Sequence, residues 1–184
     1  AAALATVSSA TMGEQLRWML AHSDNTLADQ YCRFAARAAG APATYEGATS
    51  TVVSTLSAAG VPTEGLFLED CSGLSSNDRI SANTLVGVLK ASYSGQGTSA
   101  DTMRLLPWAG LVGTLSKRMT EEPAVGNVQA KTGALAEVSS LSGSVITRGG
   151  RVLLVSIGHD RVTAGALATR GRLDAFEEGL AGLN

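Results

Sequence analysis

The feature that most constrains this chain is a change of hydrophobic period near Asn127. Before it, apolar residues recur at the three- and four-residue steps of helix faces. After it, 138–147 and 151–158 are dense in Val, Ile, Leu and Ser, the composition of strands. The break between those two runs is Arg148-Gly149-Gly150, a hairpin turn signal, so the pair is expected to be antiparallel. Ala166, Leu173, Phe176 and Leu180 return to helical spacing and close the chain. The expected fold class is therefore α/β, mainly helical over 1–120, with an antiparallel hairpin and a closing helix over 127–184.

The helical part has legible punctuation. Thr11 and Glu14 form a capping box ahead of Leu16, Met19 and Leu20, and this helix should stop near His22. A second helix follows Ser23-Asp24-Asn25 with Leu27, Tyr31, Phe34 and Ala38 along one side, which puts Ser23 in a tight helix-to-helix junction. A third is predicted over 44–59, ended by Gly60 and Pro62. Residues 65–68 read as a short strand and 69–75 as a turn-rich loop. Ser81 caps a helix through Leu85, Val88 and Leu89, and another is predicted over 107–119 with Leu111, Val112, Leu115 and Met119 on one face.

Charge and composition exclude several functions. With 14 Lys plus Arg against 16 Asp plus Glu, and no basic run of five, nothing marks the chain for a phosphate backbone, so nucleic acid is not an expected partner. Apolar stretches such as 152–155 are far short of the ~20 residues that cross a bilayer, and a soluble chain is expected. The first ten residues lack the basic start and apolar core of an export signal. Cys32 and Cys71 are too few for a disulfide scaffold, and His22 and His159 offer no metal-ligand spacing, so neither metal nor cofactor is expected.

Two short motifs offer chemistry. Lys131-Thr132-Gly133, at the start of the strand region, supplies a cation, a hydroxyl and open backbone suited to gripping a carboxylate beside a reacting carbonyl. A surface lysine at a strand end is the plainer reading. A phosphate loop is excluded because its two glycine positions hold Val125 and Ala130. Ser23-Asp24-Asn25 provides a hydroxyl that can relay a proton and an amide that can donate and accept. The same pattern recurs at Ser75-Ser76-Asn77 and Ser81-Ala82-Asn83, where turns and helix caps explain it, and a cap or turn role is open for Ser23 too. A Ser-His-Asp triad through His22 or His159 lacks the G-x-S-x-G elbow.

Taken together, the two motifs, 108 positions apart, resemble the second and third signatures of penicillin-recognising serine enzymes. The stretches 23–30 (SDNTLADQ), 70–85 (DCSGLSSNDRISANTL) and 131–143 (KTGALAEVSSLSG) resemble the D-alanyl-D-alanine carboxypeptidase/endopeptidase family, the class C low-molecular-mass penicillin-binding proteins. The resemblance implies part of a serine transpeptidase/β-lactamase-like domain, with residues 1–184 as its C-terminal portion. It implies an acyl-enzyme reaction on peptidoglycan stem peptides ending in D-Ala-D-Ala, imitation by β-lactams, and an extracytoplasmic location. Ser23 would pass a proton to the leaving amine, Asn25 would hold a substrate amide, and Lys131 would set the local field. Thr132 and Gly133 would bind substrate, and the Ala134 N–H would face the oxyanion.

The chain departs from that pattern in three places. The family's S-x-x-K nucleophile motif is absent, since Gly87, Thr114 and Val128 stand three before Lys90, Lys117 and Lys131. An N-terminal portion carrying that motif is the implied partner, and a non-catalytic module binding stem peptides or a partner chain is the alternative. Ala134 replaces the hydroxyl residue usual after K-T-G. Cys71 stands where the family more often has a small residue; an oxidising compartment would let it pair with Cys32, and two buried thiols is the alternative.

Overall fold

A computed structural model describes residues 4–95, 102–163 and 165–184. Three antiparallel strands lie in the order β1 (Val128–Ala134), β2 (Ser139–Ile146) and β3 (Val152–His159). β2 and β3 are the expected hairpin, with Ser139 opposite His159 and Ile146 opposite Val152. β1 enlarges that hairpin to a three-stranded sheet. Its Val128-Gln129-Ala130-Lys131 run has little strand propensity, and pairing with β2 from Val128↔Val145 to Ala134↔Ser139 makes it a strand.

Alternation gives the sheet two unlike faces. Val128, Ala130, Leu141, Val145, Leu153, Val155 and Ile157 share one, closed by Leu180 and Ala181 of the C-terminal helix α5 (Ala166–Ala181). The other carries Gln129, Lys131, Ser140, Ser142, Ser144 and Ser156, with Ser142 and Ser156 hydroxyls 2.9 Å apart. Leu154 is its apolar anchor, packed with Leu20 of α1 (Met12–His22), Leu89 of α4 (Ala82–Tyr93), Met103 and Leu106.

The capping box opens α1, with the Glu14 carboxylate accepting the Thr11 N–H at 2.8 Å. α2 (Asn25–Ala38) and α3 (Tyr45–Ala58) form a helical pair. The stripe expected on α2 is shifted: Cys32 and Ala36 are buried, whereas Phe34 is exposed and stands edge-on to Tyr31. Ala36 meets Ala48 of α3, and small residues at that contact let the helices approach closely, leaving the Phe34 ring at the rim. Cys32 and Cys71 are bonded, with Cα atoms 6.2 Å apart, and the Cys71 N–H donates to Asp29 Oδ1 at 3.1 Å. The 69–75 loop is thus tied to α2 and folded around Asp70. Burial alone would raise the Asp70 pKa, but N–H groups of Gly73, Ser75 and Ser72 donate to its carboxylate and hold it below its ordinary range.

Two predicted elements do not form. The strand at 65–68 is a single bridge, Phe67 to Arg79, in which each N–H donates to the other's carbonyl. The helix over 107–119 is a folded loop with one 3-10 turn, Gly113–Leu115. Gly110, Gly113 and Met119 have φ of +70°, +59° and +50°, which no right-handed helix accommodates. Leu115 and Met119 still reach the core, while Leu111 and Val112 are exposed. Among the described residues no helix is long and apolar enough to cross a membrane.

On α5, Leu173 is buried as expected, but Phe176 faces outward and Glu177, 1% exposed, faces inward. Neither Glu177 carboxylate oxygen has a hydrogen-bond partner among the described residues. Desolvation, with the nearby Asp174 charge second, raises its pKa from 4.5 to about 7, whereas Asp174 itself is paired with Arg118. A carboxyl raised in the folded state adds stability below its unfolded pKa and loses it as pH rises through the folded one. Glu177→Gln should therefore remove about 2 to 3 kcal/mol of stability loss between about pH 5 and about pH 8, read by urea denaturation at both. An unaltered pH dependence in the variant would show that Glu177 is ionised in the folded protein.

Candidate functional site

Ser23 sits where α1 ends and α2 begins, and the backbone fixes it there. It is the left-handed C-cap of α1, with φ +56° and ψ +50°, and its N–H donates to the Met19 carbonyl. Asp24 follows as N-cap of α2, accepting the Leu27 N–H at 3.0 Å. A non-glycine residue in this conformation costs about 1 kcal/mol. The capping reading of Ser23 is right for its backbone, and that use leaves the hydroxyl free for another partner.

That partner is Lys131. Its Nζ donates to Ser23 Oγ at 2.7 Å and to the Thr132 carbonyl at 2.7 Å. The two motifs, separated by 108 residues, meet through this one ammonium. Desolvation lowers the Lys131 pKa from 10.5 to about 8. Because Ser23 Oγ accepts from Lys131, its own proton remains available for donation elsewhere.

Lys131, Thr132 and Gly133 are half-buried, and their strand β1 is covered along only part of its outer edge. Ala109 N–H donates to Val128 O and Ala130 N–H to Pro107 O, so even-numbered residues of β1 direct backbone groups away from β2. The 107–109 segment covers that outer edge only as far as Ala130. From Thr132 to Ala134 the edge is open, and the Ala134 N–H points out from it with no backbone partner among the described residues. At Gly133 any side chain would run into Ser140 Oγ.

The loop after 109 returns to complete the convergence. A side chain at Gly113 would strike the Ala21 carbonyl at the end of α1, so glycine lets the loop seat there. The next residue, Thr114, accepts a 3.1 Å hydrogen bond from Thr132 Oγ1. Thr114 was invisible from sequence as a site residue because 107–119 reads as a helix; the glycine before a hydroxyl was the available signal.

Asn25 begins α2, half-buried, and its carboxamide has no hydrogen-bond partner among the described residues. The rival serines are otherwise engaged: Ser75 Oγ donates to Glu69 at 2.6 Å, and Ser81 Oγ accepts the Thr84 N–H at 3.0 Å as cap of α4. His22 stacks on Trp18, ring centroids 3.7 Å apart, and its Nδ1 lies 3.1 Å from the Trp18 carbonyl; it makes no triad with Ser23. No group of three or more metal-ligating side chains clusters among the described residues.

Comparison with known proteins gives this geometry its context. The profile of the D-Ala-D-Ala carboxypeptidase 3 (S13) family matches residues 1–180. Carboxypeptidase DacB of Mycolicibacterium smegmatis is 40% identical over 159 residues, covering 84% of this chain and 35% of the relative. A D-alanyl-D-alanine carboxypeptidase of Actinomadura sp. is 36% identical over 148 residues, 77% of this chain and 27% of that protein. The chain thus spans about a third of the length of such relatives. Penicillin binding protein 4 (dacB) of Haemophilus influenzae, in a crystal structure with a β-lactam, superposes with a TM-score of 0.80 at 31% identity, over 91% of this chain and 40% of that one.

The Lys131 environment makes a direct prediction. In protein carrying isotope-labelled lysine, the resonance that disappears in Lys131→Arg should titrate near pH 8. Below that pH the buried charge costs stability, and the cost is relieved as pH rises towards 10.5, because the unfolded chain then holds the extra proton. A midpoint at 10.5 would mean that Nζ is solvated and not held beside Ser23.

Proposed function

The chain belongs to the D-Ala-D-Ala carboxypeptidase 3 (S13) family, and on that footing we propose that it supplies the proton-relay and carboxylate-binding half of a serine D-alanyl-D-alanine carboxypeptidase/endopeptidase site. The observation that carries the proposal is the 2.7 Å hydrogen bond from Lys131 Nζ to Ser23 Oγ, which joins the two motifs into one unit. Residues 1–184 are read as the C-terminal portion of one transpeptidase-like domain whose S-x-x-K serine comes from the remainder of a longer polypeptide.

The chemistry follows from the hydrogen-bond directions. The nucleophilic serine attacks the carbonyl of the penultimate D-Ala, and its proton leaves through the lysine and Ser23 network. Ser23 passes a proton to the amine of the departing D-Ala while Lys131, donating to Ser23 Oγ, stabilises the oxygen as it loses that proton. The outward N–H of Ala134 donates to the oxyanion, the second donor being the nucleophile's own N–H. Thr132 and Gly133 receive the terminal carboxylate end of the substrate, and the Asn25 carboxamide, without a hydrogen-bond partner among the described residues, holds a substrate amide. Water then releases the shortened stem peptide, whereas a β-lactam acylates the same serine. Such a substrate lies in the cell envelope, so an extracytoplasmic location goes with this function, and the Cys32–Cys71 bond is consistent with an oxidising compartment.

For the 184 residues alone the function is binding without turnover, since no lysine has a serine three positions before it. Incubated with a fluorescent penicillin, this chain should take no stoichiometric covalent label, and the complete polypeptide should take about one equivalent. Label on the isolated chain would place the nucleophile among these residues, and an unlabelled complete polypeptide would remove the acyl-enzyme.

A further inference from the structure

The geometry points to Thr114 as a second hydroxyl that grips the substrate carboxylate, a role that rests on the function proposed above. A threonine hydroxyl has one proton, and Thr132 uses its own to donate to Thr114 Oγ1 at 3.1 Å. Thr114 is the acceptor in that pair, and its proton has no acceptor among the described residues. Without substrate, the free hydroxyl proton beside the open edge of β1 therefore belongs to Thr114. Ala134, the next residue whose backbone faces that edge, has no hydroxyl to offer.

Thr114 is also held in place on both sides. Gly113, at φ +59°, seats against the Ala21 carbonyl where any side chain would clash, and Leu115 is fully buried in the core below the sheet. The Leu115 N–H donates to Val112 O and the Ser116 N–H to Gly113 O, closing the 3-10 turn around Thr114. Its hydroxyl is thus fixed between the end of α1, which carries Ser23, and Thr132 of β1. A carboxylate reaching Thr132 meets it without rearrangement of the loop. Donation from Thr132 polarises the Thr114 O–H, so a carboxylate accepting from Thr114 is bound by a two-hydroxyl relay and not by an isolated group.

The test compares acid and amide forms of one D-Ala-D-Ala peptide in the complete polypeptide. Thr114→Val keeps the shape and removes the hydroxyl; it should reduce the acid-over-amide ratio of kcat/KM by roughly 10-fold or more, chiefly through KM for the acid. Thr114→Ser should restore most of the ratio. A wild-type ratio in Thr114→Val, or equal losses on acid and amide, would reduce Thr114 to a loop residue and overturn the assignment. If the wild-type protein hydrolyses neither peptide, the proposed function falls and this assignment with it. If Thr132→Val loses the acid preference and Thr114→Val keeps it, only the assignment of Thr114 falls.

Discussion

A partly buried lysine that keeps a hydroxyl and a carbonyl within 2.7 Å is the constraint on which this structure turns. Taking an ammonium out of water is unfavourable, and the lowered Lys131 pKa measures that cost. The cost is contained because Ser23 and Thr132 replace lost water as acceptors. Ser23 does so from the left-handed cap of α1, and Thr132 from the part of the β1 edge that the 107–109 segment leaves uncovered. The break between α1 and α2, the uncovered half of β1 and the glycine that seats the 113–115 turn are thus conditions for one charge to be held in one place.

The division of the sheet into two faces serves the same end. On the α5 side, Leu141, Val145 and their neighbours are closed off from water, and burial at about 25 cal/mol per Å2 of apolar surface stabilises the scaffold. On the other side a lysine, a glutamine and four serines make a polar face. The 70–85 stretch, the longest of the three that carry the sequence resemblance, lies in the scaffold. Asp70 organises its turns, the Cys32–Cys71 bond fastens it to α2, and Ser81 launches α4.

Features with local physical causes were legible in the sequence. The Thr11 capping box, the Ser81 cap, the Gly60 stop and the β2–β3 turn depend on neighbouring residues, and all form as expected. Features decided by distant partners were not. Leu111, Val112, Leu115 and Met119 have helical spacing, but three left-handed residues fold the segment so that only Leu115 and Met119 reach the core. Phe34 and Phe176 lost buried places to Ala36 and Glu177, because the width of a helix contact is set by its partner. Ser23, Asn25, Lys131, Thr132, Gly133 and Ala134 were legible only as two motifs in the right order. The meeting of Ser23 with Lys131, and of Thr114 with Thr132, needed the fold.

The central claim is that Ser23 and Lys131 act as one unit. A double-mutant cycle on kcat/KM in the complete polypeptide, with Ser23→Ala, Lys131→Met and both together, tests it most directly. If the pair is one proton relay, the double variant should be no slower than the worse single variant, a coupling of roughly 2 kcal/mol or more. Losses that simply multiply would show two residues working independently and would contradict the assignment of their hydrogen bond to the reaction.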